Sequence, residues 1–253
     1  MDTAAIVVGA GVVALPFLFV LPLPATASWP YIAASILTHL AYYFFMVRAY
    51  RAGDLSLVYP LMRGVAPLLT GLLAIVWMHE WPGTLGWAGM ALISAGVIAL
   101  ALRPGPMGPA LRGHSRAVGS ALANAVVIAV YTIIDGSGAR LAGNAWSYIV
   151  WLFTLDALPF SIFLLATRPG DFIAALGQRR QRGLIGGGLS AAAYAISVWA
   201  MTRAPVALVA SLRETSVLFA TLIGTCLLNE HLTLRRWAGI VAVLAGVVAL
   251  KLV

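Results

Sequence analysis

A single cysteine, Cys226, stands among 253 residues. The chain therefore cannot close an intramolecular disulfide, and the thiol, set inside an apolar run, says little about redox compartment. Charge is also scarce: Asp, Glu, Lys and Arg make up 9% of the sequence, against roughly a quarter in soluble domains. The four histidines show no metal-ligand spacing, and His79-Glu80 lacks the second histidine of a zinc helix. No phosphate-binding glycine loop and no nucleophile triad are present, which argues against an ATP-driven machine and a hydrolase. Neither a metal nor an organic cofactor is implied.

What is present is apolar: 62% of residues are hydrophobic. A water-soluble core of this length could not hide so much apolar surface, so lipid must be the solvent. The net charge of +8 does not indicate nucleic acid, because the arginines sit in short loops between apolar runs and form no basic face. Nine apolar segments approach the length needed to cross a bilayer: A 4–21, B 30–47, C 55–78, D 84–102, E 117–134, F 145–166, G 183–201, H 206–228 and I 233–253. Helices are expected, since an α-helix satisfies its own backbone in lipid. The runs also lack the alternation of barrel strands. Ala25-Thr26-Ala27 resembles a cleavage site, but only Asp2 precedes segment A where a basic region belongs. Segment A is therefore read as a span.

The chain repeats itself. Residues 61–100 align without a gap on 211–250, with twelve of forty positions identical. Arg63 meets Arg213, Glu80 meets Glu230, and Trp87-Ala88-Gly89 meets Trp237-Ala238-Gly239. Segments C and D thus correspond to H and I, and B corresponds to G at the same offset. The shared Ala-Leu-Pro-Phe of 14–17 and 157–160 links A to F. Segment E has no partner, so the organisation is a four-helix first repeat over 1–102, a Pro/Gly-rich connector at 103–116 and a five-helix second repeat over 117–253. Equivalent helices five spans apart must run in opposite directions, which defines an inverted repeat. Eleven basic residues in the loops B–C, D–E, F–G and H–I face three on the other side (Arg140, Arg203 and Lys251). By charge alone the first set is cytoplasmic, with the N-terminus inside and the C-terminus outside.

At the repeated unit the sequence resembles the drug/metabolite transporter superfamily, specifically its EamA-type members. The motif residues are Pro67, Gly71, His79-Glu80, Gly89 and Gly96, then Gly224, Asn229-Glu230, Gly239 and Gly246. The resemblance implies an inverted-repeat bundle of ten helices around a central substrate cavity in a multi-pass protein of the bacterial inner membrane. Three departures are evident: the first helix has no counterpart, Val217 stands where Pro67 predicts proline, and the charge bias opposes the usual orientation. The implied partners are a small-molecule substrate and the bilayer, with a second copy as one way to replace the absent helix.

Arg63 and Arg213 are the sharpest candidates for chemistry, because every other basic residue lies in or beside a loop. Intramembrane ionisable groups are costly and face a cavity, a partner or a pathway. Two guanidiniums at equivalent positions suit a carboxylate, phosphate or phosphonate; the bland alternative is snorkelling or local pairing. Glu214 and Asp156 are the acids within spans, available to pair an arginine or carry a coupling proton. Adjacent residues on a helix do not face each other, so Arg213–Glu214 is not a ready pair. Asp135 and Asp54 read as solvated helix ends, and Glu80 and Glu230 as turn residues capping the next helix. His39, Tyr42, Tyr43 and Met46 form a stripe on B, with Asn124 and Tyr131 on E and Tyr194 and Trp199 on G. These suit an amphipathic or aromatic substrate, although tyrosine and tryptophan also form interfacial belts. His39 by itself is more often an interhelical hydrogen-bonding histidine than a ligand.

The expected function is secondary transport of a small amphipathic or anionic metabolite by alternating access. One rival is an integral membrane enzyme acting on lipid, which would need acids and histidines clustered at one membrane face. The other is a non-transporting scaffold or a subunit of a lipid flippase.

Overall fold

The computed structural model describes residues 2–53, 55–101, 115–228 and 233–253. Asp54, most of the connector, and the Asn229-Glu230-His231 turn lie outside the described residues. Every regular element is helical. The α-helices are α1 (Asp2–Ala14), α2 (Trp29–Ala52), α3 (Leu55–Met78), α4 (Gly83–Ala101), α5 (Ser115–Leu141) and α6 (Ala145–Thr167). They continue with α7 (Pro169–Gln178), α8 (Arg180–Met201), α9 (Val206–Arg213), α10 (Ser216–Leu228) and α11 (Leu234–Lys251). Seven stretches are long and apolar enough to cross a membrane, one of them running from Val206 to Ile223 through the α9–α10 junction. Thr3–Phe19 is apolar but shorter, and within it α1 gives way to a 3-10 turn at Leu15–Phe19 around Pro16. Helix α11 carries Arg235, Arg236 and Lys251 within its length.

Three elements differ from the sequence reading. The basic loop 168–182 contains a helix, α7, started by Pro169 and anchored by buried Phe172 and Ala175. Their spacing of three residues puts both on one face. Segment E continues to Leu141, with Gly138 as a close-packing residue inside the helix. A Cβ on Gly138 would lie 2.6 Å from Tyr31 Cβ. Segment H is interrupted between Arg213 and Ser216.

The chain forms two compact units, residues 1–40 with 134–203 and residues 41–133 with 204–253. Each draws on both sequence repeats. In the first unit α1 packs on α8 and α6. A Cβ on Gly9 would overlap the Gly183 carbonyl, and one on Gly187 would meet the backbone of Ile6, Gly9 and Ala10. Small residues let helices approach closely where lipid gives no hydrophobic drive. Ile32, Tyr148, Leu152 and Val198 form the core behind this contact. Ala25, beside the apparent cleavage site, donates its N–H to the Ala142 carbonyl at 3.1 Å.

In the second unit α4 packs on α11, again through glycine. A Cβ on Gly89 would come within 2.9 Å of the Gly246 carbonyl oxygen, and one on Gly96 within 2.7 Å of the Gly239 oxygen. The order 89, 96 against 246, 239 makes the two helices antiparallel. Under the 150-residue offset Gly89 becomes Gly239 and Gly246 becomes Gly96, so each of these contacts maps onto the other.

Candidate functional site

In the second unit, helix α3 is apolar enough to tolerate two internal prolines, Pro60 and Pro67. Pro67 has no N–H, so the carbonyl of Arg63, four residues earlier, loses its helical donor. In the second repeat Val217 replaces that proline, and the backbone loosens by another device. Glu214 and Thr215 donate to the carbonyls three residues back, Ser211 and Leu212, at 3.1 and 3.0 Å. Val217 and Leu218 do the same to Glu214 and Thr215. This is a 3-10 tightening, reinforced by the Thr215 hydroxyl donating to the Leu212 carbonyl at 2.7 Å.

The tightened turn carries the Glu214 carboxylate inward, where the residue is 1% exposed. Arg63 Nε lies 2.8 Å from Glu214 Oε2, and Arg213 Nε lies 3.9 Å from Oε1. Both contacts are ion pairs. Arg213 and Glu214, adjacent in sequence and not expected to pair, nonetheless stand within ion-pair distance. The sequence did not reveal that Glu214 would reach Arg63.

Tyrosines surround it. Tyr42 packs edge-on against Tyr43 and Tyr131, at ring-centroid distances of 5.3 and 6.0 Å. Tyr42 and Tyr50 feel the charge of Arg63. Asn124 does not line an open cavity as its position on segment E suggested. It is 0% exposed, and its amide N–H donates to Met62 Sδ at 3.0 Å. A cavity of about 440 Å³ begins beyond Glu214, lined by Tyr59, Leu100, Ser216, Val217, Thr221 and Arg236 among others. Ser216 and Thr221 gave no signal in the sequence, and Arg236 read as a loop charge.

The remaining candidates belong to the first unit. His39 Nδ1 lies 3.2 Å from Asp156 Oδ1. Asp135, read from the sequence as a solvated helix end, is 0% exposed, because α5 runs on past it. The Tyr148 hydroxyl donates to Asp135 Oδ1 at 2.9 Å and the Tyr194 hydroxyl donates to Oδ2. Tyr194 also sets its ring edge-on to His39 at 6.3 Å. Trp199 stands apart from these groups. It stacks on Trp146 at 6.4 Å under the Arg203 guanidinium, beside a polar cavity of about 400 Å³ that also meets Arg140.

Glu80 does cap a helix, but a different one from that expected. His79 ends α3 in the left-handed region, with φ 55°, and Glu80 N–H turns back to the Ala74 carbonyl at 3.1 Å. Its side chain then accepts the Val206 N–H at 2.8 Å. Helix α9 starts at Pro205 with no side-chain cap from its own segment, so an acid from α3 meets that exposed donor and the positive helix end. Glu80→Ala is expected to lower stability by about 0.5–2 kcal/mol, and Glu80→Gln to restore part of it, read by thermal unfolding in detergent. An Ala variant as stable as wild type would remove the cap from the list of stabilising contacts.

A search of curated protein sequences gives no significant match. A crystal structure of a protein superposes with TM-score 0.75 at 19% sequence identity, over 99% of this chain and 86% of that one. At that identity it is the fold that is shared. Residues 115–252 match the profile of the EamA-like transporter family. That match covers more than half of the sequence and agrees with the seven membrane-crossing stretches, so the chain is a multi-pass membrane protein that belongs to the EamA-like transporter family.

Proposed function

We propose that the chain is a secondary transporter that moves a small anionic or amphipathic metabolite across the cytoplasmic membrane by alternating access. The Arg63–Glu214–Arg213 cluster carries this reading. It places two guanidiniums and one carboxylate inside membrane-crossing helices. Intramembrane charge of that kind marks a pathway or binding site, and an anionic group would complete it. Tyr42, Tyr43 and Tyr131 add aromatic faces for an apolar substrate portion. The reciprocal glycine contacts of antiparallel α4 and α11 support the inverted repeat, and with it a rocking motion around a central site.

The experiment is a metabolite panel screened by thermal shift, since a ligand that binds only the folded state raises its stability. For a ligand that scores, Arg63→Ala or Arg213→Ala should remove a charge-assisted hydrogen bond of about 1.5–3 kcal/mol. At 1.4 kcal/mol per factor of ten, that is roughly a tenfold to hundredfold loss of affinity. Arg63→Lys should recover the charge but not the fork, and so only part of the affinity. Unchanged affinity with lowered thermal stability in all three variants would assign the arginines to structure alone.

A further inference from the structure

The cavity of the first unit takes no part in the anion site just proposed. It holds about 400 Å³ beside Trp146 and Trp199. Three membrane-crossing stretches end around it. Ser115–Leu141 carries Arg140 in its last turn, Ala145–Thr167 opens with Trp146, and Arg180–Met201 closes just past Trp199. The cavity therefore lies where these helices leave the membrane.

Its lining has the chemistry of an anion receptor. Both charged side chains in it are arginines, Arg140 and Arg203, and among the described residues no carboxylate lines it. The Arg203 guanidinium sits over the Trp199 ring, 5.9 Å from its centroid, and that ring stacks on Trp146. An aromatic face thus holds this cation. Arg140 donates its Nε–H to the Met201 carbonyl at 2.8 Å, which positions a second guanidinium in the lining. Asn144 accepts the Trp146 N–H at 2.9 Å and keeps its amide N–H groups as further donors. By sequence, the loop set to which these arginines belong holds three basic residues against eleven in the other. Their convergence is therefore not the by-product of a generally basic surface.

A second observation points to a lipid as the carrier of the anion. Helix α8 exposes Ile185, Leu189, Ala192, Ile196 and Trp199, at spacings of four, three, four and three residues, which is one face of a helix. Gly187, Ala191, Ala195 and Val198 on the other face are buried. The exposed apolar stripe runs along the membrane-crossing stretch and ends at the cavity, under Arg203. Tryptophan at a membrane boundary sits at headgroup level, and a guanidinium there forks onto phosphate oxygens. A phosphate in the cavity and an acyl chain on the stripe would satisfy both features with one molecule.

We propose that this cavity binds the phosphate headgroup of an anionic phospholipid, with an acyl chain laid along the Ile185–Ile196 stripe of α8. The headgroup is one without an ammonium. An ammonium would stand beside two guanidiniums with no acid in the lining to receive it. Binding is non-covalent and does not rest on the transporter reading above.

The test is native mass spectrometry of the full chain, released from detergent micelles that hold equal amounts of phosphatidylglycerol and phosphatidylcholine with the same acyl chains. Wild type should retain phosphatidylglycerol in preference. Arg203→Gln should reduce that preference about fivefold, the worth of one arginine at an anionic surface. Arg203→Lys should recover part of it, because the charge returns without the fork. Arg116→Gln removes the same charge from an exposed position at the opposite end of α5 and should leave the preference unchanged. Equal losses in Arg203→Gln and Arg116→Gln would show general attraction between charges and overturn the site. Equal retention of the two lipids by wild type would overturn it as well. Glycerol phosphate, which offers the phosphate without the chains, should not displace the lipid at the same concentration. Displacement would make this a site for a soluble phosphate and overturn the lipid assignment. A metabolite panel without a hit would end the transporter reading and leave each of these outcomes as decisive as before.

Discussion

Glu214→Ala is expected to lower stability by roughly 3–5 kcal/mol, because removing one partner of a buried ion pair strands the other. Here two cations lose a contact: Arg63 its 2.8 Å contact and Arg213 its 3.9 Å one. Asp171→Ala supplies the control: Asp171 is an exposed acid in the first turn of α7, and such surface changes stay within about 0.5 kcal/mol. Adding Arg63→Met to Glu214→Ala should return part of the loss, since an apolar side chain of similar length replaces a stranded cation. The measurement is thermal unfolding in one detergent for all four proteins. A Glu214→Ala loss no larger than that of Asp171→Ala would mean that Glu214 carries no structural charge, and the cluster would have to be redrawn.

Gly9→Ala and Gly188→Ala should move stability in opposite directions, although both are single methyl additions in helices of the same unit. The new methyl at Gly9 would overlap the Gly183 carbonyl, which cannot rotate away as a side chain can. Overpacking of this kind costs typically 1–3 kcal/mol and sometimes more, and backbone against backbone places Gly9→Ala at about 3 kcal/mol or above. At Gly188 the methyl would meet Val13 at 3.6 Å, ordinary contact, so the helix preference for alanine over glycine, up to about 1 kcal/mol, is left to act. Unfolding temperatures of the two variants decide it. Equal shifts would show that α1 and α8 separate easily enough to absorb the methyl.

Much of this architecture was legible because lipid imposes a simple rule of long apolar runs broken by charged or glycine-containing turns. Segments C, D and F match α3, α4 and α6 within a residue or two. Gly89, Gly96, Gly239 and Gly246 were legible as motif residues of the repeat, and they are the residues through which α4 and α11 touch. What escaped the sequence shares a physical cause. Asp135 read as a helix end because it lies just past the apolar run of segment E, whereas the helix continues through Gly138, packed against Tyr31 and Tyr148. The break at Glu214 is a choice between donors three and four residues back, which hydrophobic pattern does not encode. Glu80 was legible as a cap, but which helix it caps depends on packing between segments 126 residues apart. The grouping of His39, Asp156 and Tyr194 around Asp135 likewise arises from helix packing, as do the interleaved compact units.

The two repeats loosen their arginine-bearing helices by different means. At Pro67 the missing donor is covalent: no rearrangement of the first copy can restore a bond to the Arg63 carbonyl from that position. At Glu214 and Thr215 the donors exist and are engaged three residues back, so a slight rewinding would re-engage them with Ala210 and Ser211 in ordinary helical register. One helix therefore lacks the donor outright, while the other keeps its donors and engages them three residues back. The Glu214 carboxylate, on the tightened turn of one repeat and 2.8 Å from Arg63 Nε of the other, joins the two.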